Sequence, residues 1–235
     1  MRISNGTLAN SSQSAVNTFD AVNIHADAST VDLVMFNTPT DNQGSLGQQR
    51  RSLTLDINDS LFNGTVSAGN LSGNLMNAVN ASVTNGATAR LDLVNSPGNS
   101  SGADGFVATV DNSQFRANLT NSNFNNSGIG AGGNGMIFNV TNGGVFTAGL
   151  DNSSFNNSGA DGLHGVVNAS VANLTLTNSS TVRGNDRDGL DFNVDAGLLT
   201  VNATNSSFSN NGVGGVTGNG ILGVIGKGAW PRSIL

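Results

Sequence analysis

Apolar residues recur at every second position along most of this chain, in runs of two kinds. The first kind leads up to an Asn-Ser pair. Reading back from the Asn by two, four and six residues, Asn205 gives Ala203, Val201 and Leu199; Asn178 gives Leu176, Leu174 and Ala172; Asn152 gives Leu150, Ala148 and Phe146; Asn121 gives Leu119, Ala117 and Phe115. The same reading extends upstream to Leu93, Leu91 and Ala89 before Asn95, to Ile57, Leu55 and Leu53 before Asp59, and to Met35, Leu33 and Val31 before Asn37, making seven runs. The second kind follows an Asp-Gly or Asn-Gly pair: Phe106, Ala108, Val110; Met136, Phe138, Val140; Leu163, Gly165, Val167; Leu190, Phe192, Val194; and Ile221, Gly223, Ile225. Alternation of this length predicts strands with one face in a core and the other in water. A shorter Ser-x-Phe-x-Asn segment, carrying Phe62, Phe124, Phe155 and Phe208 with Val182 in one copy, predicts a third strand.

The spacings separate framework from loop. From the first apolar residue after the Gly pair to the Asn of Asn-Ser is 15 residues in three copies and 16 in the fourth, whereas from that Asn to the next Gly pair is 13, 9, 10 and 14. Three short strands per repeat, tight corners and no intervening helix describe one coil of a parallel β-helix. Coils stack roughly 4.8 Å apart, so seven of them form a prism roughly 30 Å long. A Greek-key sandwich is the rival, but it would not require equal strand spacing over so many copies. The reading is a single all-β domain, a right-handed parallel β-helix of about seven three-strand coils. Irregular N-terminal coils with a polar insertion occupy residues 1–50, regular coils 51–225, and a tail containing Trp230 and Pro231 residues 226–235.

Composition sharpens this picture. The chain holds 37 Asn and 32 Gly, no Glu, Tyr or Cys, and a single lysine, Lys227. Asn, Asp, Ser and Gly compete with the helix by bonding their own backbone and by tolerating turn dihedrals, which argues against long helices. In a stacked coil, Asn at a corner accepts left-handed dihedrals, and successive side-chain amides can bond along the column. All 15 acidic residues are Asp and the net charge is −6, which excludes a nucleic-acid partner built on clustered cations. No apolar run reaches membrane-spanning length, and the opening "MRISNGTLANSSQ" lacks the apolar region of a signal peptide. An acidic, cysteine-free, Asn/Gly/Ser/Thr-rich chain fits an exported bacterial protein, secreted or at the cell surface, directed by a signal elsewhere or forming part of a longer chain.

The cadence of "NSSFNNSGADGL" and "NSSFSNNGVGG" resembles the pectin-lyase-like right-handed β-helix repeats of large bacterial surface and secreted proteins, over most of residues 50–225. The resemblance implies the fold and its handedness. It leaves activity open, because such repeats serve polysaccharide lyases, glycosidases and adhesins alike.

Candidate chemistry gathers where the repeat places ionisable groups together. The Asp/Asn-Gly column runs Asp104, Asn134, Asp161, Asp188, Asn219, so Asp161 and Asp188 are its like-charged neighbours, and His164 falls beside Asp191. Three readings follow. As an enzyme, Asp161 and Asp188 would serve as acid and base with His164 and Asp191 beside them, in a polysaccharide lyase or glycoside hydrolase; this face lacks the aromatic and cationic residues that sugar enzymes use. As a metal site, "GNDRDGLD" would offer Asp186, Asp188 and Asp191 to Ca²⁺. As architecture, Asp161 and Asp188 are turn residues whose carboxylates accept backbone N–H groups, which accounts for Asn at the same positions in other copies. The glycine run at residues 128–135 precedes a strand rather than a helix and so lacks the mechanism of a phosphate loop. The functional expectation is a non-enzymatic, adhesin-like segment with no cofactor. It presents variable loops near 98–104, 125–134 and 209–219 to a carbohydrate or cell-surface ligand, and its terminal coils are open to end-to-end stacking.

Overall fold

The computed structural model describes residues 20–38, 50–215 and 217–226, together with the backbone of the short strands Arg2–Ser4 and Arg232–Ile234. The expected tail around Trp230, Lys227 and the body of the polar insertion lie outside the described residues. Every strand pairing is parallel and the chain forms a β-solenoid of about seven turns. No helix among the described residues is long and apolar enough to cross a membrane.

Two sheets carry the solenoid. Sheet 1 has eight strands, from Val22–Asp27 through Leu53–Asn58, Val79–Thr84, Phe106–Asp111, Met136–Thr141, Leu163–Asn168 and Leu190–Asp195 to Ile221–Ile225. Sheet 2 has nine and includes Thr30–Phe36, Leu61–Ser67, Thr88–Val94, Gln114–Thr120, Val145–Asp151, Val171–Thr177 and Leu198–Ala203. Registers fix the repeat: one coil takes between 26 residues (Leu53 to Val79) and 32 (Thr200 to Arg232).

Three details differ from the sequence reading. The third side contains one regular strand pair among the described residues, Thr181–Arg183 with Ser207–Ser209. Elsewhere its rungs persist as isolated backbone bonds, such as Phe124 N–H to Ser154 O, and as a one-residue bridge between Ser154 and Thr181, because too few residues stay extended between two corners to form a full strand. The run Leu53–Ile57 belongs to sheet 1, not to the Asn-Ser strands, and Phe62 lies in sheet 2, paired with Ala89. The cause is that both corners share one grammar, a left-handed residue followed by Ser. Asp59-Ser60 and Asn112-Ser113 turn out of sheet 1, while Asn121-Ser122 and Asn152-Ser153 turn out of sheet 2. The 16-residue spacing also has a local origin: the corner at Asn142 carries Gly143 and Gly144 where the corner at Asn112 has Ser113 alone.

Inward positions form one continuous apolar core. Phe106, Phe115, Phe124, Phe138, Phe146 and Phe155 are all buried within it, and Phe124 and Phe155 stack at 5.8 Å between ring centroids. Size is balanced between coils. A Cβ on Gly165 would lie 2.1 Å from the Phe138 ring, and one on Gly223 would lie 2.1 Å from the Phe192 ring, so each glycine makes room for the phenylalanine of the preceding coil.

Corner side chains supply a second, polar framework. Ser96, Ser122, Ser153 and Ser180 are buried in one column, and each of the last three accepts the backbone N–H of its predecessor in the coil before, at 3.0–3.1 Å. Each hydroxyl in turn donates to carbonyls; Ser153 reaches Asp151 O at 3.0 Å and Leu119 O at 3.1 Å. Outside them, Asn95, Asn121 and Asn152 bond amide to amide at 3.1 and 2.7 Å, as the abundance of Asn suggested.

Candidate functional site

The Asp/Asn-Gly column lies at the entrance to sheet 1 and is a ladder of backbone contacts. Asp104 donates its N–H to Asn77 Oδ1, Asn134 to Asp104 Oδ1, Asp161 to Asn134 Oδ1, Asp188 to Asp161 Oδ1 and Asn219 to Asp188 Oδ1, at 2.6–3.1 Å. The carboxylates accept backbone N–H groups from the coil stacked next to them. Asn77, the first rung, escapes a search for Asx-Gly pairs because Ala78 follows it; its place 27 residues before Asp104 was the available signal. Glycine recurs after the other rungs for a packing reason: a Cβ on Gly135 or Gly189 would stand 2.5 Å from the carbonyl oxygen of the next coil.

Asp161 and Asp188 are both buried, at 1% and 5% exposure. Asp188 Oδ1 accepts the N–H and the side-chain amide of Asn219 at 2.6 and 3.0 Å. His164 occupies the first outward position of its strand and pairs in register with Asp191 of the next coil. Its Nδ1 stands 3.2 Å from Asp191 Oδ2 and 3.6 Å from Asp161 Oδ2. Hydrogen bonding to Asp161 raises the His164 pKa above its ordinary value; burial opposes the rise, and the charges of Asp191 and Asp161 reinforce it. Arg187 reaches the far side of the same carboxylate, with Nε 3.7 Å from Asp161 Oδ1.

Among the described residues, one group of three acidic or histidine side chains brings its donor atoms within 4.8 Å of one another: Asp161, His164 and Asp191. Asp186 and Asp188 fall outside it. Asp186 sits half-buried in the loop before the column, and its backbone N–H is bonded to Ser158 O. A second His–Asp pair, His25 with Asp56 at 2.8 Å, lies exposed near the other end of sheet 1.

A different corner carries a groove of about 320 Å³, lined by Asn121, Asn123, Asn152, Ser154, Asn156 and Thr181 among others, all uncharged and polar. Sequence reading assigned binding to the loops and missed it, because its residues come from three successive coils.

No known protein family, curated protein or solved structure matches this chain. The class that fold and site define is therefore the parallel β-solenoid itself.

Proposed function

We propose that the chain is a structural, non-enzymatic rod of an exported bacterial protein, secreted or at the cell surface, of the adhesin-like kind that its pectin-lyase-like cadence resembles. One observation carries this reading: Asp161 and Asp188, the residues best suited by type to act as acid and base, are rungs of a ladder in which Asn77 and Asn134 do the same work of accepting a backbone N–H. A position that accepts Asn and Asp alike needs an acceptor oxygen, not a proton-transferring group. The uncharged groove of Asn, Ser and Thr side chains supports contact with neutral carbohydrate, weak singly and strengthened by multivalency. Stacking with further coils belongs to the same reading, since Leu222 and Val224 stay exposed on the last strand of sheet 1.

The test is product release from a panel of acidic and neutral polysaccharides, comparing the parent with Asp161→Asn and Asp188→Asn. We expect no cleavage by any of the three folded proteins. Cleavage by the parent that disappears in either variant would overturn the structural reading in favour of a polysaccharide lyase or glycoside hydrolase.

A further inference from the structure

We propose that Asp161, His164 and Asp191 are the protein ligands of a divalent transition-metal site of the zinc and cobalt class. This goes beyond the scaffold function and does not depend on it.

The donor spacing is the first argument. Metal–nitrogen and metal–oxygen bonds of about 2.0–2.2 Å at tetrahedral angles place neighbouring donors roughly 3.4 Å apart. The two edges from His164 Nδ1 measure 3.2 Å to Asp191 Oδ2 and 3.6 Å to Asp161 Oδ2, one on either side of that value. The third edge falls within the 4.8 Å limit of the group. Adjacent in-register strands set the closer pair, so no loop has to move to assemble it.

The second argument is independent of spacing. Asp161 is 1% exposed, and its Oδ1 is already engaged by the Asp188 N–H. Its Oδ2 points into the group and, among the described residues, meets no donor outside it. A buried carboxylate held beside a histidine and a second carboxylate is a preorganised donor set, in which the proton on His164 and a bound cation balance the same negative charge. Local charge agrees: the carboxylates of Asp161 and Asp191 both face the imidazole, and the Arg187 guanidinium lies on the Oδ1 side of Asp161. An imidazole donor and three ligands suit a borderline cation, whereas Ca²⁺ takes six to eight oxygens. Three protein ligands leave a position open to water or an external ligand.

The ladder provides a clean variant. Asp161→Asn keeps the acceptor oxygen that the neighbouring rungs show to be sufficient, and removes the anionic donor. The chelator-stripped chain is titrated with Co²⁺, read by its d–d absorption, and with Zn²⁺ and Ca²⁺, read by calorimetry, at a pH above the imidazole range. Circular dichroism confirms folding of each protein. We expect one saturable Co²⁺ or Zn²⁺ site per chain. Asp161→Asn and His164→Asn should each weaken it by more than the roughly 10–100-fold that outer-shell changes cost, with His25→Asn unchanged. Absence of saturable Co²⁺ and Zn²⁺ binding by the folded parent, tighter binding of Ca²⁺ than of either, or an affinity that survives both substitutions would overturn the proposal.

Discussion

At the scale of single residues, backbone conformation accounts for the unusual composition. Among the described residues, Asn supplies twelve of the nineteen non-glycine residues with positive φ, so its abundance reflects corners that few other side chains tolerate. Gly165 has the opposite role, since its φ is ordinary and its missing side chain is what matters. Gly165→Ala should destabilise by about 1–3 kcal/mol through overpacking against Phe138, and adding Phe138→Leu should restore part of the loss, as read by denaturant midpoints. His164 makes stability depend on pH. The groups facing its ring are Asp161 and Asp191, with Arg187 and Asp188 in contact with Asp161. Its folded pKa is raised, so the folded state holds the proton more tightly than the unfolded chain. That contribution is complete below the unfolded value of about 6.5 and is lost as pH rises through the raised folded value. With chelator present, the difference in melting temperature between parent and His164→Asn should therefore be largest in mild acid and shrink toward alkaline pH.

At the scale of the element, strands and corners differ in how far the sequence discloses them. The strands were legible because inward positions alternate without interruption, as in Phe146, Ala148 and Leu150, which are all buried. The column of Asp104, Asn134, Asp161, Asp188 and Asn219 was legible for the same reason, as a fixed offset before each strand. Sheet membership was not legible at Leu53–Ile57 or Phe62, because two different corners use the same left-handed residue plus Ser. The site was legible only in part. Register put His164 beside Asp191, but the approach of Asp161 depends on how its corner folds back, which no spacing encodes. The serine column was also hidden, since Ser after Asn reads as ordinary turn chemistry until the coils are stacked. Its energetic weight can be measured: Ser153→Ala leaves the buried Ser122 N–H without its acceptor, while Asp151 O keeps the Asn121 N–H, and should cost about 1–3 kcal/mol in equilibrium unfolding.

At the scale of the whole molecule, the registers repeat one relation, in which each coil bonds to the coil before it and the coil after it. Stability is then close to a sum of coil terms and nearest-neighbour terms. The Ser column repeats through the middle coils, whereas, among the described residues, strand Ile221–Ile225 is the edge of sheet 1 and keeps Leu222, Val224 and Ile225 exposed. Unfolding should start at such an edge coil, and hydrogen exchange should show protection rising from Ile221–Ile225 toward Met136–Thr141. The same ladder has a mechanical meaning. Tension applied to the two ends of the chain loads the outermost rungs first, and a coil that peels away hands the full load to the next. A coil of 27 residues, the step from Met136 to Leu163, releases about 90 Å of extended chain when it lets go. Drawn out in a force spectrometer, the rod should lengthen in a run of near-equal steps of that size, one turn at a time, paying out slack under strain like a wound tether.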